Sequence, residues 1–230
     1  MRTRFSSDST KSAFSLIELL VVVAIIGIIG GFAVPAVGNL LKGSSMTQAA
    51  NLISDQTAAA RQYALTRNRS VEVRFYKFGD PEQPHEANVD PVTDPTLWEF
   101  RALQYFEIAE GGIPNPIGKV VRFPDTIVMN SNSTLSSLLN VTAPNQLAAN
   151  DPDLPRGVKR NYTYVSFRFL PDGSTSLSAT GGPANGKWFV TAHLLSDMGR
   201  ATGGKAPPNF FTWVIDPVSG AMKVLRPQAK

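Results

Sequence analysis

The sequence predicts an α+β protein: a long N-terminal helix, membrane-spanning in its first half and amphipathic in its second, packed on an antiparallel β-rich globular domain. Three observations predict it. An apolar run passes into a stretch whose apolar residues recur at helical spacing. Near Ser70 the period shortens to that of a strand, and beyond it short alternating runs are separated by Gly, Pro, Asn and Asp. Once the leader and the apolar helix are set aside, the 230-residue chain leaves one domain of about 160 to 190 residues, enough for a real core.

The apolar run occupies residues 14–37, FSLIELLVVVAIIGIIGGFAVPAV, and residues 19–34 contain nothing charged or strongly polar. A helix needs about 20 such residues to cross a bilayer core, so the segment is a membrane-spanning candidate. Glu18 does not suit such a place. It puts a carboxylate among Leu16, Ile17, Leu19 and Leu20, where charge is costly and normally has a partner. Ahead of the run lies a polar leader, residues 1–13, carrying Arg2, Arg4 and Lys11 against Asp8; its positive charge fits retention on the cytoplasmic side, with the remainder exported.

At the junction the residues read Ala13, Phe14, Ser15, Leu16, Ile17, Glu18. A small residue before Phe, and Glu at the fifth position counted from that Phe, closely resembles the class III signal of type IV prepilins and type II secretion pseudopilins. The resemblance implies cleavage by a prepilin peptidase between Ala13 and Phe14, N-methylation of Phe14, and assembly of the apolar helix into the core of a filament. It also assigns Glu18 to subunit assembly. An amine and a carboxylate are each expensive in hydrocarbon, and the amine of one subunit facing the Glu of its neighbour cancels both costs. The family's helix-bending Pro at the twenty-second mature position is matched by Pro35. Its usual Gly before the cut is replaced by Ala13, which implies slower processing.

An ordinary signal anchor also explains the hydrophobicity, as does a secretory signal cut after Ala36, with Val34 and Ala36 suitably small. Neither explains Glu18. Gly27, Gly30, Gly31 and Pro35 weaken a helix in water and are tolerated in membranes, so a bend is expected in the second half of the run, with close packing of small residues as the other reading.

Across residues 38–69 the helix continues in amphipathic form: Leu41, Ala49, Leu52, Ile53, Ala60, Tyr63 and Ala64 lie at helical spacing, with Lys42, Asn51, Asp55, Arg61 and Gln62 mostly elsewhere. Residues 70–78 alternate, Val71, Val73 and Phe75 against Glu72, Arg74 and Tyr76, which predicts a half-buried strand. Residues 79–96 read as a loop broken by Asp-Pro pairs. A second strand follows in LWEFRALQYFEIA, with Trp98, Phe100, Ala102, Phe106 and Ile108 on one face and Gln104 an exception. Short strands are expected at 119–123 and 126–129. Residues 130–160 carry no sustained apolar period beyond one or two helical turns at 133–139.

Order returns with NYTYVSFRFL, a turn at Pro171, Asp172 and Gly173, and STSLSAT as the returning partner. A strand at 187–195, a Gly/Pro loop at 196–208 and a final hairpin at 213–225 complete the domain of residues 70–230, expected in the periplasm or outside the cell. The run FRFLPDGSTS and the closing WVIDPVSGAMKVL resemble the late hairpins of the H-type minor pseudopilins. The whole arrangement is similar to the Verru_Chthon cassette protein D group of prepilin-like proteins.

The formal net charge of +4 is too weak to argue for nucleic acid, and the leader supplies half of it. The absence of cysteine removes disulfides, thiolate catalysis and Cys metal sites. No enzyme and no cofactor is expected. His85 and His193 lie far apart, near no nucleophile or metal-ligand motif. Asp80, Glu82, Glu86, Asp90 and Asp94 offer oxygen ligands for calcium, but their spacing matches no EF-hand and Asp-Pro pairs are ordinary turn formers. Tyr76, Tyr105, Tyr162, Tyr164 and Trp188 could form a partner surface or pack in strands; Lys159, Arg160 and Arg168 could face DNA or simply water.

The sequence therefore reads as a structural, minor subunit of a type II secretion pseudopilus or a related pilus-like filament. Expected partners are the prepilin peptidase, other pilin subunits and an inner-membrane assembly platform. Retention of Glu18 implies a subunit inserted beneath or between others, since the tip-type member of the family commonly lacks it. A minor type IV pilin for adhesion or DNA uptake is the second reading. An exported domain, such as a hydrolase, using an ordinary anchor is the third.

Overall fold

The computed structural model describes residues 15–80, 82, 98–140, 151–155, 157–180, 186–201 and 203–227, with the side chains of 31–37, 39 and 40 outside that description. The leader, Phe14, and the loop expected at 79–96 apart from its first residues and residue 82 therefore lie outside the described residues, His85 and most of the expected calcium ligands among them. The chain divides into two units, Met1–Leu41 and Lys42–Lys230.

Helix α1 (Leu16–Arg67) contributes to both units and is assigned without interruption through Pro35. In the second unit one stripe of the helix is buried: Met46, Ala49, Ala50, Ile53, Thr57, Ala60 and Ala64. Four of the seven are alanines, which cost nothing in side-chain entropy and keep the helix backbone close to what it packs on. The stripe begins later than the sequence suggested, because Leu41 is 63% exposed.

Among the described residues the rest of the domain is built on a nine-stranded antiparallel sheet in the order β6-β1-β2-β5-β7-β8-β9, with β3 and β4 also pairing with β2. Its strands are β1 (Val71–Phe78), β2 (Glu99–Ile108), β3 (Pro114–Pro116), β4 (Val121–Arg122), β5 (Ile127–Met129), β6 (Thr163–Phe169), β7 (Trp188–Leu194), β8 (Phe210–Ile215) and β9 (Met222–Leu225). The α+β expectation holds. The main core joins the helix stripe to one face of the sheet through Val71, Val73, Phe75, Phe167, Phe169 and Trp213, among others.

Four details differ from the sequence reading. β1 is not half-buried, since Glu72, Arg74 and Tyr76 are buried on the opposite face by a second cluster that includes Leu154, Val158, Tyr162 and Tyr164. β2 does not keep one apolar face. A register shift opposite Tyr76 and Lys77 skips Arg101, so Phe100 and Leu103 enter the main core while Ala102 and Phe106 enter the second cluster. Gln104 belongs to that second face: it accepts a hydrogen bond from the Tyr76 hydroxyl at 3.0 Å and donates to the Gly118 carbonyl at 2.7 Å. STSLSAT is not a full strand; it makes a single bridge, Phe169 to Thr175, because Thr175 donates through both its amide and its hydroxyl to the Pro217 carbonyl. Finally, the helical turns expected at 133–139 reduce to a 3-10 turn at Leu138–Asn140, and another 3-10 turn, Leu195–Arg200, occupies the start of the expected Gly/Pro loop.

The two late turns are fastened to α1 by one side chain. Arg61 donates from Nε to the Gly173 carbonyl at 3.1 Å and from Nη2 to the Ser219 carbonyl at 2.8 Å. Gly220, at φ 65°, allows this approach: a Cβ there would stand 2.2 Å from the Gly173 oxygen.

Candidate functional site

The first described turn of α1 is set by Ser15, whose carbonyl accepts from the amides of Glu18 at 3.0 Å and Leu19 at 3.2 Å. Glu18 thus stands in the first turn, where the positive end of the helix dipole favours a carboxylate. That effect explains why the residue is tolerated by the helix. It does not explain the surroundings. Leu16, Ile17, Leu19, Leu20, Val21, Val22, Val23, Ile25, Ile26, Ile28 and Ile29 are all 46 to 83% exposed.

Those positions cover every direction around a helix of 3.6 residues per turn, so no face is reserved for packing within the chain. A helix that is apolar all round is stable only inside a protein core or lipid. Glu18 makes no side-chain hydrogen bond or ion pair among the described residues, and it is exposed at the N-terminal end of this surface. The segment therefore combines a large apolar demand with a single charge, and nothing described in the chain meets either. Among the described residues no helix is long and apolar enough to cross a membrane. The described apolar side chains end at Gly30, while the apolar run of the sequence continues to Val37.

The other residues singled out in the sequence are structural. His193 is fully buried, its Nε2 2.8 Å from Asn130 Nδ2 and its Nδ1 2.8 Å from the Leu194 carbonyl; burial lowers its pKa. Tyr76, Tyr162, Tyr164 and Trp188 are buried, and Tyr105 packs against the main core, so these aromatics form no exposed surface. Arg168 faces Glu72 at 3.3 Å and Arg160 donates to the Asp151 carbonyl at 2.6 Å; with such partners they do not make a free basic patch. Among the described residues no group of His, Asp and Glu is gathered that could hold a metal.

A buried ionic group on the outer face of the sheet has no local signal in the sequence. Arg74 donates from Nε to Glu72 at 2.6 Å and from Nη1 to Asp151 at 2.5 Å, and its guanidinium lies 4.3 Å from the ring centres of both Phe106 and Tyr164. Burial opposes the Arg74 charge, but the carboxylates beside it prevail and raise its pKa. Burial, with Asp151 adding to it, pushes the Tyr162 hydroxyl up to about 12, and it donates to the Pro152 carbonyl at 2.7 Å. Only the alternation of Glu72 and Arg74 with apolar residues was visible beforehand, and alternation ordinarily signifies water.

Comparison with known proteins bears on the N-terminal segment. Residues 8–34 match the prokaryotic N-terminal methylation motif. Over 53 residues, 23% of this chain, the protein is 42% identical to the fimbrial protein EcpC of Eikenella corrodens, and the match spans about a third, 35%, of that relative's length. Among solved structures it is similar to the minor pseudopilin EpsH from the type 2 secretion system of Vibrio cholerae, at 7% identity over 80% of this chain and 99% of that one, with a TM-score of 0.41. That likeness is too distant to bring the role of EpsH across. The exposed apolar helix, the first-turn glutamate and the methylation motif together make the N-terminal segment prepilin-like. In its N-terminal segment the chain is thus similar to type IV pilin-like proteins, through the methylation motif and the stretch shared with a fimbrial protein.

Proposed function

We infer that the protein is a minor subunit of a type II secretion pseudopilus or a related type IV pilus-like filament. A prepilin peptidase cuts between Ala13 and Phe14, and the new amine of Phe14 is methylated. The apolar segment, residues 14–37, holds the chain in the inner membrane with the domain in the periplasm. Other subunits, gathered at an inner-membrane platform, then replace lipid around that helix, while Glu18 meets the terminal amine of a neighbour and Pro35 absorbs the change of surroundings as a bend.

The observation that carries this reading is the exposure of eleven large apolar side chains around the whole helix beside one carboxylate. At about 1.5 to 3 kcal/mol for each buried side chain of this kind, covering them supplies ample free energy for anchoring and for packing between helices. The match to a fimbrial protein favours a minor type IV pilin as the second reading. Intact mass and N-terminal sequence, with and without active prepilin peptidase, test the inference. A chain beginning at methylated Phe14 only when the peptidase is present supports it; an uncut chain, or a start at Val37, overturns it.

A further inference from the structure

The outer face of β1, β2 and β6 and the segment that covers it are held in different ways. β1 pairs along its whole length with β2 and through seven residue pairs with β6, so the three strands form a fixed surface. Over it lies a strap, residues 151–155 and 157–161, whose backbone closes on itself. The Leu154 and Lys159 amides donate to each other's carbonyls at 2.7 and 3.0 Å, and the Asn161 amide donates to the Val158 carbonyl at 3.0 Å. Arg160 Nη1 adds a bond to the Asp151 carbonyl at 2.6 Å. The strap meets the sheet through side chains: Asp151, Leu154 and Val158 are buried, while Asp153, Pro155, Lys159 and Arg160 are exposed.

The place that Asp151 fills is built by the strands alone. Arg74 of β1 lies 4.3 Å from the ring centres of Phe106 of β2 and Tyr164 of β6, its Nε donates to Glu72, and its Nη1 is turned to Asp151. Arg168 of β6 also faces Glu72, at 3.3 Å. Two guanidinium groups therefore stand against one carboxylate on the strands, and Asp151 cancels the excess positive charge. A guanidinium already oriented by two rings and one carboxylate is a prepared fork for a second carboxylate. Next to it Leu154 and Val158 join the cluster of Tyr76, Ala102, Phe106 and Tyr164. The strands thus carry both halves of a recognition surface, one ionic and one apolar, and the strap is its occupant.

We propose that the strap is an autoinhibitory, displaceable occupant of a carboxylate-recognition site on the outer face of β1, β2 and β6, and that its place is taken by a segment of a partner protein with the same chemistry: a carboxylate followed, three and seven residues on, by apolar side chains. Displacement exchanges one ion pair and two apolar contacts for their equivalents and leaves the strand ladders intact. A partner meets only the open fraction of the chain, so the closed strap weakens binding in proportion. The site lies wholly within Lys42–Lys230 and does not depend on the filament reading.

The test is titration of the full chain, held in phosphatidylcholine bilayer discs, with the peptide acetyl-Asn-Asp-Pro-Asp-Leu-Pro-Arg-Gly-Val-Lys-amide, which repeats the strap, and with a counterpart bearing Asn for its first Asp. Both the native chain and Leu154→Ser, which alters only the strap, are titrated. Losing the burial of one leucine raises the open fraction by about tenfold or more, so Leu154→Ser should bind the Asp peptide at least about tenfold more tightly than the native chain does. The Asn peptide should bind about tenfold more weakly than the Asp peptide. Hydrogen exchange reports which part moves. With the Asp peptide bound, the amides of Leu154, Lys159 and Asn161 should exchange faster while those of β1 and β6 stay protected, which also establishes that the variant is folded. In the native chain below its urea transition, the same strap amides should exchange ahead of the strands. No binding up to about 1 mM, equal affinity of the two peptides or of the two chains, or strap and strand amides opening together in urea would each overturn the proposal.

Discussion

The two stretches of α1 have the same backbone and opposite surfaces. Between Met46 and Ala64 the apolar residues occupy one stripe and are buried; between Leu16 and Ile29 they occupy every side and are exposed. The first kind of surface is satisfied by the chain itself. The second requires something else, and the difference separates what folds the protein from what it is for: the domain needs only the stripe, and the apolar segment needs a lipid or protein environment.

The same side chain in the two stretches tests the separation most strongly. Ile53→Asp places a charge in the closed core and should cost more than about 4 kcal/mol, enough to unfold a typical domain. Ile26→Asp should leave the urea midpoint of the domain unchanged, because Ile26 is 63% exposed. Equal losses in the two variants would erase the distinction.

Asp151→Ala extends the test to the sheet's outer face. It strands Arg74 with one carboxylate fewer in a buried place, and a loss of about 3 to 5 kcal/mol is expected in urea denaturation. A loss under about 1 kcal/mol would mean that water reaches the guanidinium. Arg61→Met, which keeps the apolar stem and removes both turn contacts, should cost about 1 to 3 kcal/mol and speed exchange around Gly173 and Ser219.

The smallest effect concerns His193. Burial lowers its folded-state pKa below the unfolded value of about 6.5, so the unfolded chain binds more protons below that pH. Stability is then complete above about pH 6.5 and declines as pH falls toward the folded pKa. Asn130, the Leu194 carbonyl and Asp197 face the histidine, and the Leu194 carbonyl and Asp197 moderate the shift by favouring the charged form. The thermal midpoint should drop between pH 7 and pH 5 in the native chain and less steeply in His193→Gln; identical slopes would remove the histidine from the account.

Much of this was legible in the sequence because it rests on local periodicity. The amphipathic helix, β1, β6, β7 and the final hairpin follow from spacing and turn residues. Glu18 is conspicuous because one charge interrupts an apolar run. The rest depends on contacts between distant residues. Nothing near Glu72, Arg74 and Tyr76 indicates that they are buried, since Asp151 and Tyr162 arrive from the far side of the chain. The skipped Arg101 moves β2 from one face to the other, and no local pattern announces it. β3 is too short and too proline-rich to be read as a strand; it pairs for only three residues against the end of β2. Nor does a sequence show that the outer face is only partly covered at β8 and β9 while it is closed over β1 and β2.

On the proposed function, the apolar segment and Glu18 find their partners outside the chain. The most direct measurement compares the native chain with Glu18→Ala in cells containing the prepilin peptidase and the assembly machinery, recording the N-terminus of each and its abundance in sheared filaments. The account predicts that both begin at Phe14 and that Glu18→Ala is strongly depleted from filaments while its domain remains folded. Equal incorporation of the two, or a processed native chain absent from filaments altogether, would contradict it.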